Sequence, residues 1–373
     1  MTTGIGTPPI ARGGWLDALR FIVALMIVLH HFELAAPIPL VEFHPVFERG
    51  YLLTNFFLID SGYVLTRVYA ERVMAGRMAP MTFYRARFLR VFPSHLMMTL
   101  TLVAMVLGAA AVGVAPTNPQ WFDWGQLPAQ AALVQAYGVP GGLGWNAPTW
   151  TLSALLGCYL LFPAVLRLTR GLPPVAVLAG GVGLLLLANL LTWGFLGYPV
   201  YQMPLAYGFL RALPLFLLGV ALARFAQQTA ASPRLAGALG IAAAVALAVL
   251  QYYGRFSLIS LGLICVIIWA AGAVPTRRSA LVEKAAIVSF AMFITNEVVR
   301  VAWFGVVEVL QARFQWGEPV QWALWALGMV AAVVFAFLFY AVFDRPTQNW
   351  LAAARKGGRS APAAAPAPAA VGL

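Results

Sequence analysis

Charge is what this sequence has least of. Only 10% of its 373 residues are Asp, Glu, Lys or Arg, against about 25% in an ordinary soluble domain. Hydrophobic residues make up 62%, and the mean hydropathy is +0.83. That balance leaves too little polar side chain to cover a core in water, which excludes an ordinary globular protein. Cysteine is scarcer still. Cys158 and Cys265 both sit in apolar runs without metal-type spacing, which excludes a disulfide scaffold. Acids number 12 against 24 Lys and Arg, a net charge of +12. In a soluble chain that excess would point to nucleic acid. In a chain this apolar it first asks which side of a membrane the charges occupy. A cleavage site is lacking too. Arg12 precedes an apolar run, Phe21 to Leu29, with the look of a signal segment. No small-residue site follows it and the hydropathy does not fall, so the run reads as a first transmembrane helix.

What the sequence has in abundance is long apolar stretches. A membrane-crossing helix needs roughly 20 mostly apolar residues. The pattern predicts ten spans, at 15–34, 50–69, 91–115, 150–166, 175–196, 205–223, 235–253, 256–274, 285–310 and 320–343. The fold class expected is therefore all-α, a polytopic integral membrane protein. A stretch at 129–137 is too short to span and reads as interfacial. The membrane domain runs over 1–350, and 351–373 is an Ala/Pro-rich tail expected to be disordered, with nothing to bury.

Ten spans put both termini on one side. Nineteen of the 24 Lys and Arg then fall on that side, three fall opposite (Arg49, Arg255, Arg313) and two lie within spans (Arg211, Arg300). The positive-inside rule makes the terminal side cytoplasmic. The opposite loops, 116–128 and 138–150, are rich in aromatic, Pro and Gly residues. On that side Trp121, Trp124, Trp145, Trp150 and Trp316 read as interfacial anchors, or as stacking surfaces for carbohydrate.

Polar residues inside spans are few, and each is a candidate for function. In the first span, Asp17 and Arg20 are three apart and share a helical face. His31 follows Arg20 by eleven residues, close to three turns, so it lies on the same stripe roughly 16 Å further along the axis. His30 points about 100° away. Asp60, in FFLIDSGYVL, stands mid-membrane, either protonated, matched to a cation, or making a packing contact at a close helix crossing. Arg85, Arg87 and Arg90 come just before the third span. Arg87 and Arg90 share a face and form a guanidinium fork suited to phosphate, or else anchor the chain at anionic headgroups. Ser153, Arg211, Asn296 and Glu297 complete the set, with Arg300 placed to neutralise Glu297 and Asp344 placed to meet cytoplasmic arginines.

In this order the segments resemble the acyltransferase 3 family of integral membrane O-acyltransferases, which decorate bacterial surface polysaccharides. Leu16 to Arg20 with His31 is similar to the family's LDGLR…H opening. Phe56 to Leu65 is similar to FFLISGF-L, Arg85 to Pro93 to RR-x-x-R-I-x-P, and Trp150 to Pro163 to W-S-L-S-x-E…F-Y-L-x-F-P. Pro214 to Gly219, Ser289 to Asn296 and Asp344 to Pro346 continue the series. The resemblance spans Leu16 to Pro346. It implies a cytoplasmic acyl-CoA donor, acetyl-CoA first, held by Arg85, Arg87 and Arg90. His31 would be the base or acyl acceptor, with Asp17 orienting Arg20. The acceptor would be a glycan or lipid-linked glycan, met by Asp60, Ser153, Arg211, Asn296 and Glu297. No resident cofactor, metal or nucleic acid is expected, and membrane lipids are the surroundings. Three positions depart from the pattern: Leu155 stands for a usual Glu, Asn296 for a frequent His, and Asp60 has no usual counterpart. The rival reading is a secondary transporter using Asp60, Glu297 and Arg211 as sites.

Overall fold

A computed structural model of the chain describes residues 13–116, 118–140, 144–229 and 231–357, with side chains to residue 354. Arg12 and the Ala/Pro-rich stretch from residue 358 lie outside the described residues. Among the described residues all regular structure is helical. Ten long helices carry the fold: α1 (Trp15–Phe32), α2 (Tyr51–Met74), α3 (Pro80–Ala111), α4 (Trp150–Leu168), α5 (Pro174–Leu196), α6 (Gly208–Gln228), α7 (Pro233–Tyr252), α8 (Ser257–Ala273), α9 (Ala280–Val299) and α10 (Glu318–Phe339). Beyond Val299 and Phe339 the last two run through single π turns into further helix, reaching Phe314 and Gly357.

Eight of these elements are long and apolar enough to cross a membrane. The other two are α2, long but interrupted by Asn55, Asp60 and the charges at its far end, and α8, apolar but only 17 residues long. Two expectations shift. Helix α3 starts at Pro80, whose missing N–H costs nothing in a first turn, so Arg85, Arg87 and Arg90 belong to the helix rather than to a loop before it. Residues 351–357 of the expected tail are helical, the end of Arg345–Gly357, which is rich in Ala, Arg and Lys. At 129–137 only a short helix, Leu127–Ala131, and turns are present.

Two apolar clusters hold the bundle. Helices α2, α4, α6 and α8 supply most of one, around Ile59, Tyr63, Phe162 and Phe216. Helices α1, α3, α9 and α10 supply the other, around Val28, Leu102, Met292 and Phe339. Helix α4 faces both, and α5 and α7 are the least buried, turned to the surroundings. The α2–α6 crossing is the tightest. A Cβ on Gly62 would collide with the Phe216 carbonyl, and one on Gly219 with the Ile59 carbonyl. Small residues that let backbones meet are how helices pack without a hydrophobic drive between them. The close crossing expected beside Asp60 is thus made by its neighbour Gly62. Asp60 itself is free for other work.

Candidate active site

Helix α1 presents one stripe inward. Arg20, Ala24, Ile27 and His31 follow one another at four, three and four residues, so they line a single face. Ala24 is 0% and Ile27 3% exposed, whereas Ile22 and Met26 on the far face are 51% and 46% exposed. His31 and Arg20 are only half-buried although they stand on the inward face. Each therefore keeps part of its side chain accessible.

His31 is held by α9. Its Nδ1 lies 2.8 Å from Oδ1 of Asn296. The Asn296 amide nitrogen donates to the carbonyls of Met292 and Phe293 at 3.3 and 2.5 Å, which orients the carboxamide. Its oxygen then accepts from His31, so Nδ1 carries the proton and Nε2 keeps its lone pair. Asn296, which departs from the family pattern, serves as the orienting partner. Its neighbour Glu297 is closed off by Arg300 in a two-point ion pair, 2.9 and 2.6 Å, and the Arg300 guanidinium lies over Trp121, 4.6 Å from the ring centroid. His30 has a different role. Its Nδ1 meets the Phe47 carbonyl at 3.1 Å, and its ring packs so closely on Gly50 that a Cβ there would collide with it.

At the other end of the stripe, Arg20 pairs with Asp60. The Nε–Oδ2 distance is 2.8 Å, with the Asp60 side chain 0% and the Arg20 side chain 33% exposed. Asp17 is the weaker neighbour, 3.9 Å from Arg20, and its Oδ2 accepts the Gly13 N–H at 2.7 Å, closing the start of α1. Asp60 is thus the nearer carboxylate to Arg20, with the expected partner Asp17 second. Helical phase identified a same-helix partner, but a carboxylate buried on the next helix competes better because no water replaces its cation.

The expected fork of Arg87 and Arg90 is divided. Arg90 donates to Asp344 at 2.8 Å, Ser94 donates to the same oxygen at 2.8 Å, and Asp344 is 1% exposed. Arg87 donates to the Tyr69 hydroxyl at 2.8 Å and lies over that ring. Arg85 is exposed on the helix surface. Ser153 also departs from expectation. It is 0% exposed, its Oγ accepts from Ala136 N at 3.2 Å, and it ties the loop before α4 to that helix rather than facing a cavity. Of the tryptophans, Trp145 is 0% and Trp150 6% exposed, so both are core residues rather than anchors, whereas Trp124 is 50% exposed. Sequence reasoning missed Asn55, Tyr69 and Ser94 as partners of the arginines. Their only signal was a polar side chain at an inward position of an apolar helix.

A polytopic helical bundle with a polar stripe leading to an oriented imidazole defines the class, and comparison with known proteins gives the family. The acyltransferase domain family matches residues 14–341, and the chain belongs to it. The chain is 28% identical over 173 residues to "Acyltransferase MdmB" of Streptomyces mycarofaciens, a match covering 44% of this chain and 42% of that protein. It is also 28% identical over 156 residues to "Protein 2 in picA locus" of Rhizobium radiobacter, covering 40% of this chain and 72% of that protein. The chain thus spans less than half the length of the first of these curated relatives. No solved structure matches.

Proposed function

We propose that this protein is a membrane-bound O-acyltransferase. It moves an acyl group, acetyl in the first instance, from cytoplasmic acyl-CoA to a hydroxyl of a surface polysaccharide or lipid-linked glycan. One observation carries the reading: His31 stands on the inward stripe with Nδ1 tied to Asn296, leaving Nε2 as a base. Transfer to a hydroxyl is speeded by a base positioned to take its proton. In the direct route, Nε2 takes the hydroxyl proton as the oxygen attacks the thioester carbonyl. The C–S bond then breaks, and the CoA thiolate leaves with the proton returned from His31. In the covalent route Nε2 attacks the thioester carbonyl first and the C–S bond breaks, releasing the CoA thiolate. The acceptor oxygen then attacks the acyl carbon, the C–Nε2 bond breaks to free the imidazole, and the hydroxyl proton passes to the thiolate. Both routes use the same nitrogen. Against transport, two of the three sites it called upon, Asp60 and Glu297, are each closed by an arginine.

The test is acetyl-CoA consumption by the purified chain with candidate glycans, together with mass spectrometry of surface glycans with and without the intact gene. A glycan mass shift of one acyl group supports the reading. Uptake without acyl-CoA turnover returns the transporter.

Donor binding should separate the arginines. Arg87→Ala is expected to raise the donor KM about tenfold or more, the effect of removing one charge-assisted hydrogen bond to phosphate, with Lys rescuing only in part because it lacks the planar fork. Arg90→Ala is expected to lower thermal stability in detergent as well, because it strands the buried Asp344. Equal KM for wild type and Arg87→Ala would return Arg87 to headgroup anchoring.

The excess of Lys and Arg supports both termini on the cytoplasmic side of the inner membrane. A reporter fused after Arg77 is then expected to read cytoplasmic and one after Trp121 periplasmic. The reverse at either point breaks that topology.

A further inference from the structure

Arg211 stands in the first turn of α6 and is 4% exposed. Its Nε and Nη2 both donate to Oδ1 of Asn55 on α2, at 3.0 and 2.9 Å, and Nη2 also donates to the Tyr51 carbonyl at 2.9 Å. Its Cζ lies 5.0 Å from the Trp150 ring centroid. Every one of these partners is neutral. Arg20, Arg90 and Arg300 differ, because Arg20 has Asp60, Arg90 has Asp344 and Arg300 has Glu297. A second arginine shares the condition of Arg211. Arg49 donates to the Tyr51 hydroxyl at 3.1 Å and to Ser257 Oγ at 2.9 Å. Among the described residues no Asp or Glu forms an ion pair with either. The two guanidiniums therefore flank one residue, Tyr51, one on its carbonyl and the other on its hydroxyl.

The helix ends add to this positive field. Tyr51, Trp150, Gly208 and Ser257 are the first residues of α2, α4, α6 and α8. Four helix N-termini, each carrying partial positive charge, thus gather around two arginines. Removing a guanidinium from water is costly unless an anion compensates it, and here the surroundings raise the potential further. The geometry is also preorganised. The Asn55 amide nitrogen donates to the Tyr201 carbonyl at 3.2 Å, which sets the oxygen that grips Arg211. Nη1 of Arg211 makes no hydrogen bond among the described residues. The cluster adjoins the His31 end of the stripe, because Gly50, packed on the His30 ring, immediately precedes Tyr51.

We propose that Arg211, assisted by Arg49, binds an anionic group carried by the acceptor, a carboxylate or a phosphate. The acceptor is then an acidic glycan or one joined to lipid through phosphate, not a neutral sugar. This rests on the acyltransferase reading for the word acceptor, but the anion site stands on its own geometry.

The test uses the full chain in detergent and ligand-observed saturation-transfer NMR with three probes: D-glucuronate, D-glucose 1-phosphate and D-glucose. The wild type is expected to bind one or both anionic probes in preference to glucose. Glucuronate alone identifies a carboxylate, and glucose 1-phosphate alone a phosphate. Arg211→Gln is expected to weaken the anionic probe roughly tenfold, as removal of one charge-assisted hydrogen bond does, and to leave glucose unchanged. Arg211→Lys should keep part of the binding. If Arg211→Gln fails to accumulate, Arg49→Gln takes its place with a smaller loss expected. Equal signals from all three probes, or anion binding unchanged in both glutamine variants, would overturn the site. Acetyl-CoA turnover is followed in the same wild-type preparation. Its absence alongside intact anion binding would count against the acyltransferase and not against the anion site.

Discussion

His31→Ala is expected to abolish acyl transfer in cells while the protein still inserts and accumulates, whereas His30→Ala keeps most of its activity. Removal of a general base typically costs 10²–10⁴-fold in rate. The two histidines adjoin in sequence, but their environments divide them. His31 faces inward with Nδ1 on Asn296. His30 packs on Gly50 and meets the Phe47 carbonyl, so its loss should cost about 1 kcal/mol of stability, the scale of one hydrogen bond. Asn296→Ala separates orientation from chemistry. It should lower kcat by roughly tenfold, the equivalent of about 1.4 kcal/mol, with the donor KM unchanged, because only the tautomer and aim of the ring are lost. Measured rates at matched protein levels check all three. Comparable loss in His30→Ala and His31→Ala would remove the inward-stripe argument. Survival of activity in His31→Ala would mean that the acceptor attacks without a protein base.

Arg20→Ala is expected to be the most destabilising single change at the site, by about 3–5 kcal/mol, because it leaves a buried carboxylate without its cation. The asymmetry of the pair makes this specific. The Asp60 side chain is 0% exposed and that of Arg20 is 33%. Asp60→Ala strands a group that already touches open space and should destabilise less. The double variant Arg20→Ala/Asp60→Ala should regain most of the stability lost in Arg20→Ala, yet remain inactive if Arg20 takes part in the reaction. Thermal melts in one detergent, arranged as a double-mutant cycle, measure the coupling. Additive losses would show that Arg20 and Asp60 do not hold one another. Recovered activity in the double variant would leave Arg20 a purely structural ion.

Asp60 shows where the sequence stops being legible. A carboxylate in FFLIDSGYVL announces that a cation or a proton must meet it, because hydrocarbon offers no water. Which cation does so is not written nearby. The local candidate for Arg20 was Asp17, three residues away on the same helix, and it lies at 3.9 Å while Asp60 lies at 2.8 Å. Arg87 and Arg90 repeat the point. Their shared helical face was readable, but the π turn that follows α10 brings Asp344 to Arg90 from 254 positions away, and the expected fork is divided. Ser153 marks the opposite failure, a polar residue in a suggestive motif whose hydroxyl accepts a loop N–H.

The class and the inward stripe were both legible in the order of residues. Apolar runs of membrane length leave helices as the form that satisfies backbone N–H and C=O groups within each segment. The 3.6-residue period then puts Arg20 and His31 on one face whatever surrounds them. The partners of those residues came only from the packing of the bundle. Asn296 reaches His31 across 265 residues of chain, and Asn55 and Tyr51 reach Arg211 across 156 and 160. Helical phase is a property of neighbouring residues, so it says nothing of such distant pairs. Which helices stand side by side depends on close crossings such as Gly62 against Phe216, where the fit of two surfaces chooses the neighbour.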